Sequence, residues 1–140
     1  FGAIGAVVGH WIMGMDLTIM SVLGIMALIG VVVNDSLVLV DFINKKRLAG
    51  ESVYHAVINA GQARFRPVML TSLTTFIGLM PLLFEKATQA QFLIPMAVSL
   101  GFGIIFATFI TLLLVPVNYL LIEDVKKLFK SRRAVAAEAA

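Results

Sequence analysis

The chain has 140 residues, of which 60% are hydrophobic and only 14% are charged, and its mean hydropathy is +0.99. This apolar share exceeds that of an ordinary soluble domain, so water is not the main solvent of the chain. The absence of cysteine excludes a disulfide framework and a thiolate metal site, and the two histidines stand far apart without a carboxylate cluster. We therefore expect no metal and no cofactor.

A membrane helix needs roughly 20 apolar residues to cross about 30 Å of hydrocarbon, and this length divides the chain. Residues 1–15 carry no charge, and we predict that they form the end of a transmembrane helix that is truncated at its start. We therefore expect the chain to be part of a longer protein. Gly5 and Gly9 have the GxxxG spacing that permits close helix contact. The second predicted transmembrane helix covers 17–44 and includes Asn34 and Asp35 among apolar residues.

Ala49-Gly50 predicts a turn after the second span. Residues 52–65 then place Val53, Val57 and Ala60 on one helical stripe, which predicts a short amphipathic helix on the cytoplasmic membrane surface.

The third span is predicted over 67–84, with Pro67 in its first turn, where the N–H that proline lacks would be unpaired anyway. The last span is predicted over 94–122 and a basic cytoplasmic tail over 123–140. The predicted fold is therefore an all-α integral membrane protein with four transmembrane helices, the first truncated, and one short cytoplasmic amphipathic helix.

The cations fall into two groups, which predict the orientation of the chain. Five lie between the second and third apolar runs and five follow the last one. Two predicted spans separate the groups, so both lie on one side of the membrane, and loops rich in Lys and Arg stay cytoplasmic. We expect a cytoplasmic carboxy terminus and no nucleic-acid partner, because the cations flank hydrophobic spans and lack interleaved aromatics on a soluble module.

Asp35 is the leading functional candidate. An ionisable side chain within a membrane span costs at least ~2.5 to 3.5 kcal/mol on insertion scales, which is expensive for a residue whose only purpose is packing. Asp35 lies 13 residues after Val22, roughly 20 Å along a helix. Asp41 lies closer to the cytoplasmic membrane boundary, and we expect it to have a structural role.

Arg64 and Thr71 are seven residues apart, so they lie within ~20° of one helical face. Together with Asn34 and Asp35 they could form one polar cluster between helices, with Ser72 or Thr74 as further members. The alternative is a hydrogen-bonded helix contact without transport chemistry, which contributes only about 0.6 kcal/mol per pair. These residues alone do not decide between a functional polar cluster and a structural helix contact.

Three stretches, GIMALIGVVVNDSLVLVDFINKKR, ARFRPVMLTSLTTFIGLMPLLF and LLLVPVNYLL, resemble the last membrane spans of RND (resistance-nodulation-division) transporters, close to the multidrug efflux pumps of Gram-negative inner membranes. The resemblance covers residues 1–124. It implies a secondary active transporter, not an enzyme, that exchanges inward proton flow for outward transport. It also implies a homotrimer that joins a periplasmic adaptor and an outer-membrane channel, and that needs the rest of its own chain and the lipid bilayer.

By this resemblance the proton-relay positions of the family fall on Asn34, Arg64 and Thr71. One position departs from the family pattern. The best-known drug pumps have Lys-Asn where this chain has Asn34 and Asp35, so the charge at that point is reversed. Either Asp35 pairs with Arg64 in a rewired relay, or the stoichiometry or driving ion differs.

Two other functions remain open. A related RND branch that exports lipids or metals would use the same motor, although the missing intramembrane Met or Cys cluster argues against soft metals. A non-catalytic helical membrane scaffold would use its polar residues only to join helices.

Overall fold

The structure is a computed structural model that describes the backbone of residues 1–138 and the side chains of residues 1–134. Every regular element in residues 1–138 is helical. The five helices are α1 (Gly2–Met13), α2 (Ile19–Leu48), α3 (Val53–Leu83), α4 (Thr88–Gln91) and α5 (Ile94–Glu138). Among the described residues, α2, α3 and α5 are long and apolar enough to cross a membrane, and α1 is a shorter apolar helix of 12 residues.

Helix α5 lies at the centre of the bundle, where it packs against α1, α2 and α3. Three apolar clusters line its length. The first cluster, near the start of α5, consists of Leu83, Ala97 and Val98. The second, further along, consists of Leu28, Ile104 and Ala107. The third packs against the later residues Val115, Tyr119 and Leu120 and consists of Leu39, Ile43, Ala56, Val57 and Ala60. Because many large apolar side chains are exposed, such as Trp11, Ile19 and Leu70, a lipid environment satisfies the bundle better than water does.

Small residues allow the central helix to approach its neighbours closely. A Cβ atom on Gly5 would overlap Phe106, and one on Gly9 would lie 2.5 Å from the Phe102 Cβ atom. The predicted use of the GxxxG spacing in α1 as a close helix contact is thereby confirmed. Gly24 of α2 has the same role at Met96, whose carbonyl oxygen would lie 2.6 Å from an added Cβ atom.

The structure departs from the prediction at α3. The sequence predicted a surface helix over 52–65 and a separate transmembrane helix over 67–84, but one helix runs from Val53 to Leu83 with Pro67 in its interior. The predicted cytoplasmic amphipathic helix is therefore not confirmed. The stripe assigned to the membrane surface packs inside the bundle instead, since Val57 is 2% exposed and Ala60 is fully buried.

The fourth span and the tail differ in the same way. Residues 94–122 and the described part of the tail, 123–138, belong to one helix of 45 residues, or about 68 Å at 1.5 Å per residue. Helix formers such as Lys, Leu and Ala continue past Ile122 with no glycine or proline to end the helix. Ala139 and Ala140 lie outside the described residues.

The turn after α2 places Lys45, Lys46 and Arg47 at the end of the bundle where the last apolar run of α5 stops. Ala49 caps α2, and Gly50 takes a positive φ of 93°, which confirms the predicted turn. Arg47 of α2 contacts Glu123 of α5 at this end, with an Nη2–Oε1 distance of 3.1 Å. We call this end, which carries Lys45, Lys46, Arg47 and Lys126, the basic end.

Candidate functional site

A small cleft between α2 and α3 brings together three of the four predicted site residues. It has a volume of about 120 Å³ and is lined by Asp35, Val38, Leu39, Arg64, Pro67, Val68 and Thr71. Asp35 lies 13 residues before Leu48, the last residue of α2, which places it about 20 Å from that end of the helix. A carboxylate and a guanidinium thus share a cleft well inside two apolar helices.

Asp35 and Arg64 line this cleft without touching. No ion pair joins them within 4.0 Å, and the described ion pairs are Lys45–Asp41, Lys46–Glu51 and Arg47–Glu123. The Thr71 hydroxyl donates to the Pro67 carbonyl oxygen at 2.9 Å. The two charges are therefore near each other and free of a direct bond that would fix Asp35 in one state.

An aromatic ring that the sequence reasoning missed positions Arg64. The guanidinium carbon of Arg64 lies 5.1 Å from the ring centroid of Phe42 on α2. A cation over an aromatic face at this distance is attracted by the ring quadrupole. The Arg64 Nε atom is buried and has no hydrogen-bond partner among the described residues. Phe42 is seven residues after Asp35, on the same face of α2, and this spacing was the available signal.

The other predicted polar residues lie elsewhere. Asn34 is exposed and does not line the cleft, because adjacent helical residues point about 100° apart. Ser72 is buried against α5, where its hydroxyl bonds the Thr108 hydroxyl. The Thr108 hydroxyl donates to the Ile104 carbonyl oxygen at 2.7 Å, so Ser72 is the donor of the pair. The Thr74 hydroxyl donates to the Leu70 carbonyl oxygen.

A second polar cluster joins α2 to α5 at the basic end. Arg47 donates to both carboxylate oxygens of Glu123, at 3.1 and 3.3 Å, and to the Tyr119 hydroxyl at 3.1 Å. The Tyr119 hydroxyl donates to the Asn44 side-chain oxygen at 2.8 Å. This bidentate ion pair holds α2 against α5 at the basic end of the bundle.

A third polar cluster lies at the opposite end, around His10. Its imidazole is 2% exposed. Nδ1 donates to the Ala6 carbonyl oxygen at 2.8 Å, so Nε2 of the neutral ring accepts from the Ser21 hydroxyl at 2.7 Å. His10 thus links α1 to α2.

Three long apolar helices define an all-helical protein that suits a membrane, and a carboxylate and a guanidinium in one cleft between them make this cleft the candidate functional site. The sequence comparisons agree with this class. The chain belongs to the AcrB/AcrD/AcrF family, which matches residues 1–123, and the resemblance to RND transporters is thereby confirmed. No solved structure matches the chain.

Proposed function

We propose that this chain is the carboxy-terminal membrane part of a proton-driven RND exporter and that Asp35 is its proton-carrying residue. The observation that carries the proposal is the cleft that Asp35 shares with Arg64 and Thr71 between α2 and α3. An intramembrane carboxylate near a cation, and without a direct bond to it, can bind and release a proton.

The proton would act by changing the interaction between α2 and α3. Deprotonated Asp35 is attracted to the Arg64 guanidinium across the cleft, and protonation removes that attraction. A ligand shifts a conformational equilibrium only by its differential interaction with the two states. The gain and loss of this attraction is such a difference, and Phe42 keeps Arg64 on the α2 surface while it occurs.

Asn34 has a lesser role in this proposal than the family pattern implies. It does not line the cleft, so in this chain the relay residue of α2 is Asp35, which pairs with Arg64 in a rewired relay. The complete exporter would be a homotrimer in the inner membrane with its carboxy terminus in the cytoplasm, joined to a periplasmic adaptor and an outer-membrane channel. Its cargo would be drugs or other amphiphiles.

The test is dye efflux from cells that express the complete transporter, with Asp35→Asn compared with Asp41→Asn. Both changes neutralise a carboxylate on α2. Asp41 is an exposed residue whose carboxylate pairs with Lys45 at 2.7 Å, and such pairs contribute only about 0–1 kcal/mol. We expect Asp35→Asn to reduce efflux to the level of cells without the transporter and Asp41→Asn to retain it.

Arg64→Gln and Arg66→Gln make a second matched pair, because Arg66 is exposed and does not line the cleft. We expect only Arg64→Gln to abolish efflux. Full efflux by Asp35→Asn, at normal membrane insertion and trimer content, would leave the cleft as a helix contact and favour the scaffold function.

A further inference from the structure

We infer that the basic end binds an anionic phospholipid headgroup of the adjoining leaflet, in a groove between α2 and α5 that continues along α5. The site is separate from the Asp35 cleft, and the inference does not depend on proton transport. Three features of the groove support the inference: its position at the membrane boundary, its lining of apolar and polar side chains, and its lysines without a described counter-ion.

The groove has the chemistry of a lipid site. Its volume is about 410 Å³, within the usual range for ligand pockets. The apolar side chains of Val40, Val115 and Ile122 line one part of it, and Asn44, Arg47, Asn118, Tyr119, Glu123 and Lys126 line the rest. Such a lining suits a molecule with an apolar chain and a charged head.

The same face of α5 continues beyond the end of α2. At about 100° per residue, Lys126, Lys130 and Arg133 fall within roughly 60° of one another and in line with Tyr119. They line a second groove of about 430 Å³ with Val125 and Phe129, and Lys126 belongs to both grooves. The contact face of α5 thus becomes an exposed cationic face where α2 stops at Leu48.

Among the side chains that the structure describes, this face has no counter-ion for its lysines. Arg47 is already paired with Glu123, which neutralises the only acid of the first groove. Neither Lys126 nor Lys130 forms an ion pair with a described side chain. The last predicted span ends at Ile122, and Lys126 lies four residues further, or about 6 Å along the helix. This distance is shorter than the Debye length of about 8 Å, so salt does not fully screen Lys126 from a headgroup at that boundary. Basic pockets between membrane helices at such a boundary bind anionic headgroups.

The test titrates the complete transporter, purified in a neutral detergent, with dioleoyl phosphatidylglycerol or dioleoyl phosphatidylcholine. Bound lipid is counted by native mass spectrometry. The two lipids share their acyl chains, so a difference reports the headgroup. We expect phosphatidylglycerol to bind more tightly, and this preference to fall as salt is raised, because screening shortens the range of the attraction.

The decisive variant is Lys126→Gln with Lys130→Gln, and its control is Lys127→Gln with Arg132→Gln. The control removes the same charge from the same helix but at about 100° and 120° from Lys126. Each cation at the membrane surface contributes about fivefold to affinity. We therefore expect the first double variant to lose about 25-fold in phosphatidylglycerol affinity and the control to lose much less.

Four outcomes would overturn the inference. They are equal binding of the two lipids, an equal loss in both double variants, full competition by inorganic phosphate, and occupation of the groove by a second copy of the chain without lipid. The measurement needs no proton gradient and can be repeated in Asp35→Asn, so its failure is distinguishable from failure of the proposed function.

Discussion

The buried imidazole of His10 shows how a single hydrogen bond can join two helices of this bundle. The ring is 2% exposed, and both of its nitrogens are bonded. Ser21 is also buried and accepts from the Thr18 backbone N–H at 3.1 Å. The Ser21 hydroxyl therefore serves both the cap of α2 and the contact to α1.

We predict that Ser21→Ala destabilises the protein by about 1–3 kcal/mol, because it leaves the buried Nε2 atom of His10 without a partner. The free energy of unfolding in detergent, followed by helical circular dichroism, measures this loss. Ser131→Ala, at an exposed position of α5, is the control and should change stability by less than about 0.5 kcal/mol. Adding His10→Leu to Ser21→Ala should cost less than the sum of the two single changes, and strict additivity would contradict the proposed bond.

At the scale of the helices, the contact between α1 and α5 depends on the missing side chain of Gly9. Gly→Ala in a helix interior ordinarily stabilises by roughly 0.5–1 kcal/mol. A methyl group on Gly9 would meet Phe102 within 3 Å at three of its atoms, whereas Gly30 of α2 has no atom within 4 Å of an added Cβ among the described residues. Replacement by Ala should therefore change the stability of the bundle in opposite directions at Gly9 and at Gly30.

We expect Gly9→Ala to destabilise the bundle by about 1–3 kcal/mol through overpacking. Gly30→Ala should be neutral or stabilising by up to about 1 kcal/mol. Chemical unfolding of both variants under one detergent condition tests the pair. A stabilising Gly9→Ala would mean that α1 does not pack against α5 as described.

The turn between α2 and α3 contains a carboxylate whose ionisation supports it. Glu51 accepts from the Asn59 side-chain amide at 3.0 Å and from Lys46 Nζ at 3.2 Å. The hydrogen bond from Asn59 and then that from Lys46 hold the pKa of Glu51 below its ordinary value of 4.5. Because the folded pKa is the lower one, this support is present above pH 4.5 and is lost as pH falls through the folded pKa.

We predict that Asn59→Ala moves the pKa of Glu51 up toward 4.5, since it removes the largest cause of the shift. A carboxyl NMR titration of Glu51 measures the change. Gln62→Ala, one turn further along α3 at an exposed position, is the control and should leave the titration in place. An unchanged Glu51 titration in Asn59→Ala would assign the shift to the remaining causes, Lys46 and His55.

At the scale of the whole molecule, hydropathy and spacing account for much of the fold and for part of the cleft. The lengths of the apolar runs predict the long helices, and the seven-residue spacing of Arg64 and Thr71 places both on the cleft wall with Asp35. Pro67 is compatible with a first turn and with a helix interior, so the sequence alone does not show that α3 is continuous. The bonding of His10 to Ser21 and the contact of Arg64 with Phe42 join different helices, and periodicity shows which residues share a face of one helix but not which faces meet.

The shared end of Lys45, Lys46, Arg47 and Lys126 makes the membrane orientation testable. These 140 residues contain no cysteine, so an introduced thiol is the only one within them, and the test uses the complete transporter with any other cysteine replaced. Ala49→Cys and Lys127→Cys are exposed at the basic end, and Gln89→Cys is exposed in α4 at the opposite end. Because segments rich in Lys and Arg are retained in the cytoplasm, we expect a membrane-impermeant maleimide to label only Gln89→Cys in spheroplasts and all three after permeabilisation. Labelling of Ala49→Cys and Lys127→Cys but not of Gln89→Cys would invert the orientation, and different labelling of these two would contradict their common side. A common protected side would place the cationic face of α5 against the cytoplasmic leaflet, where its proposed anionic lipid would have to lie.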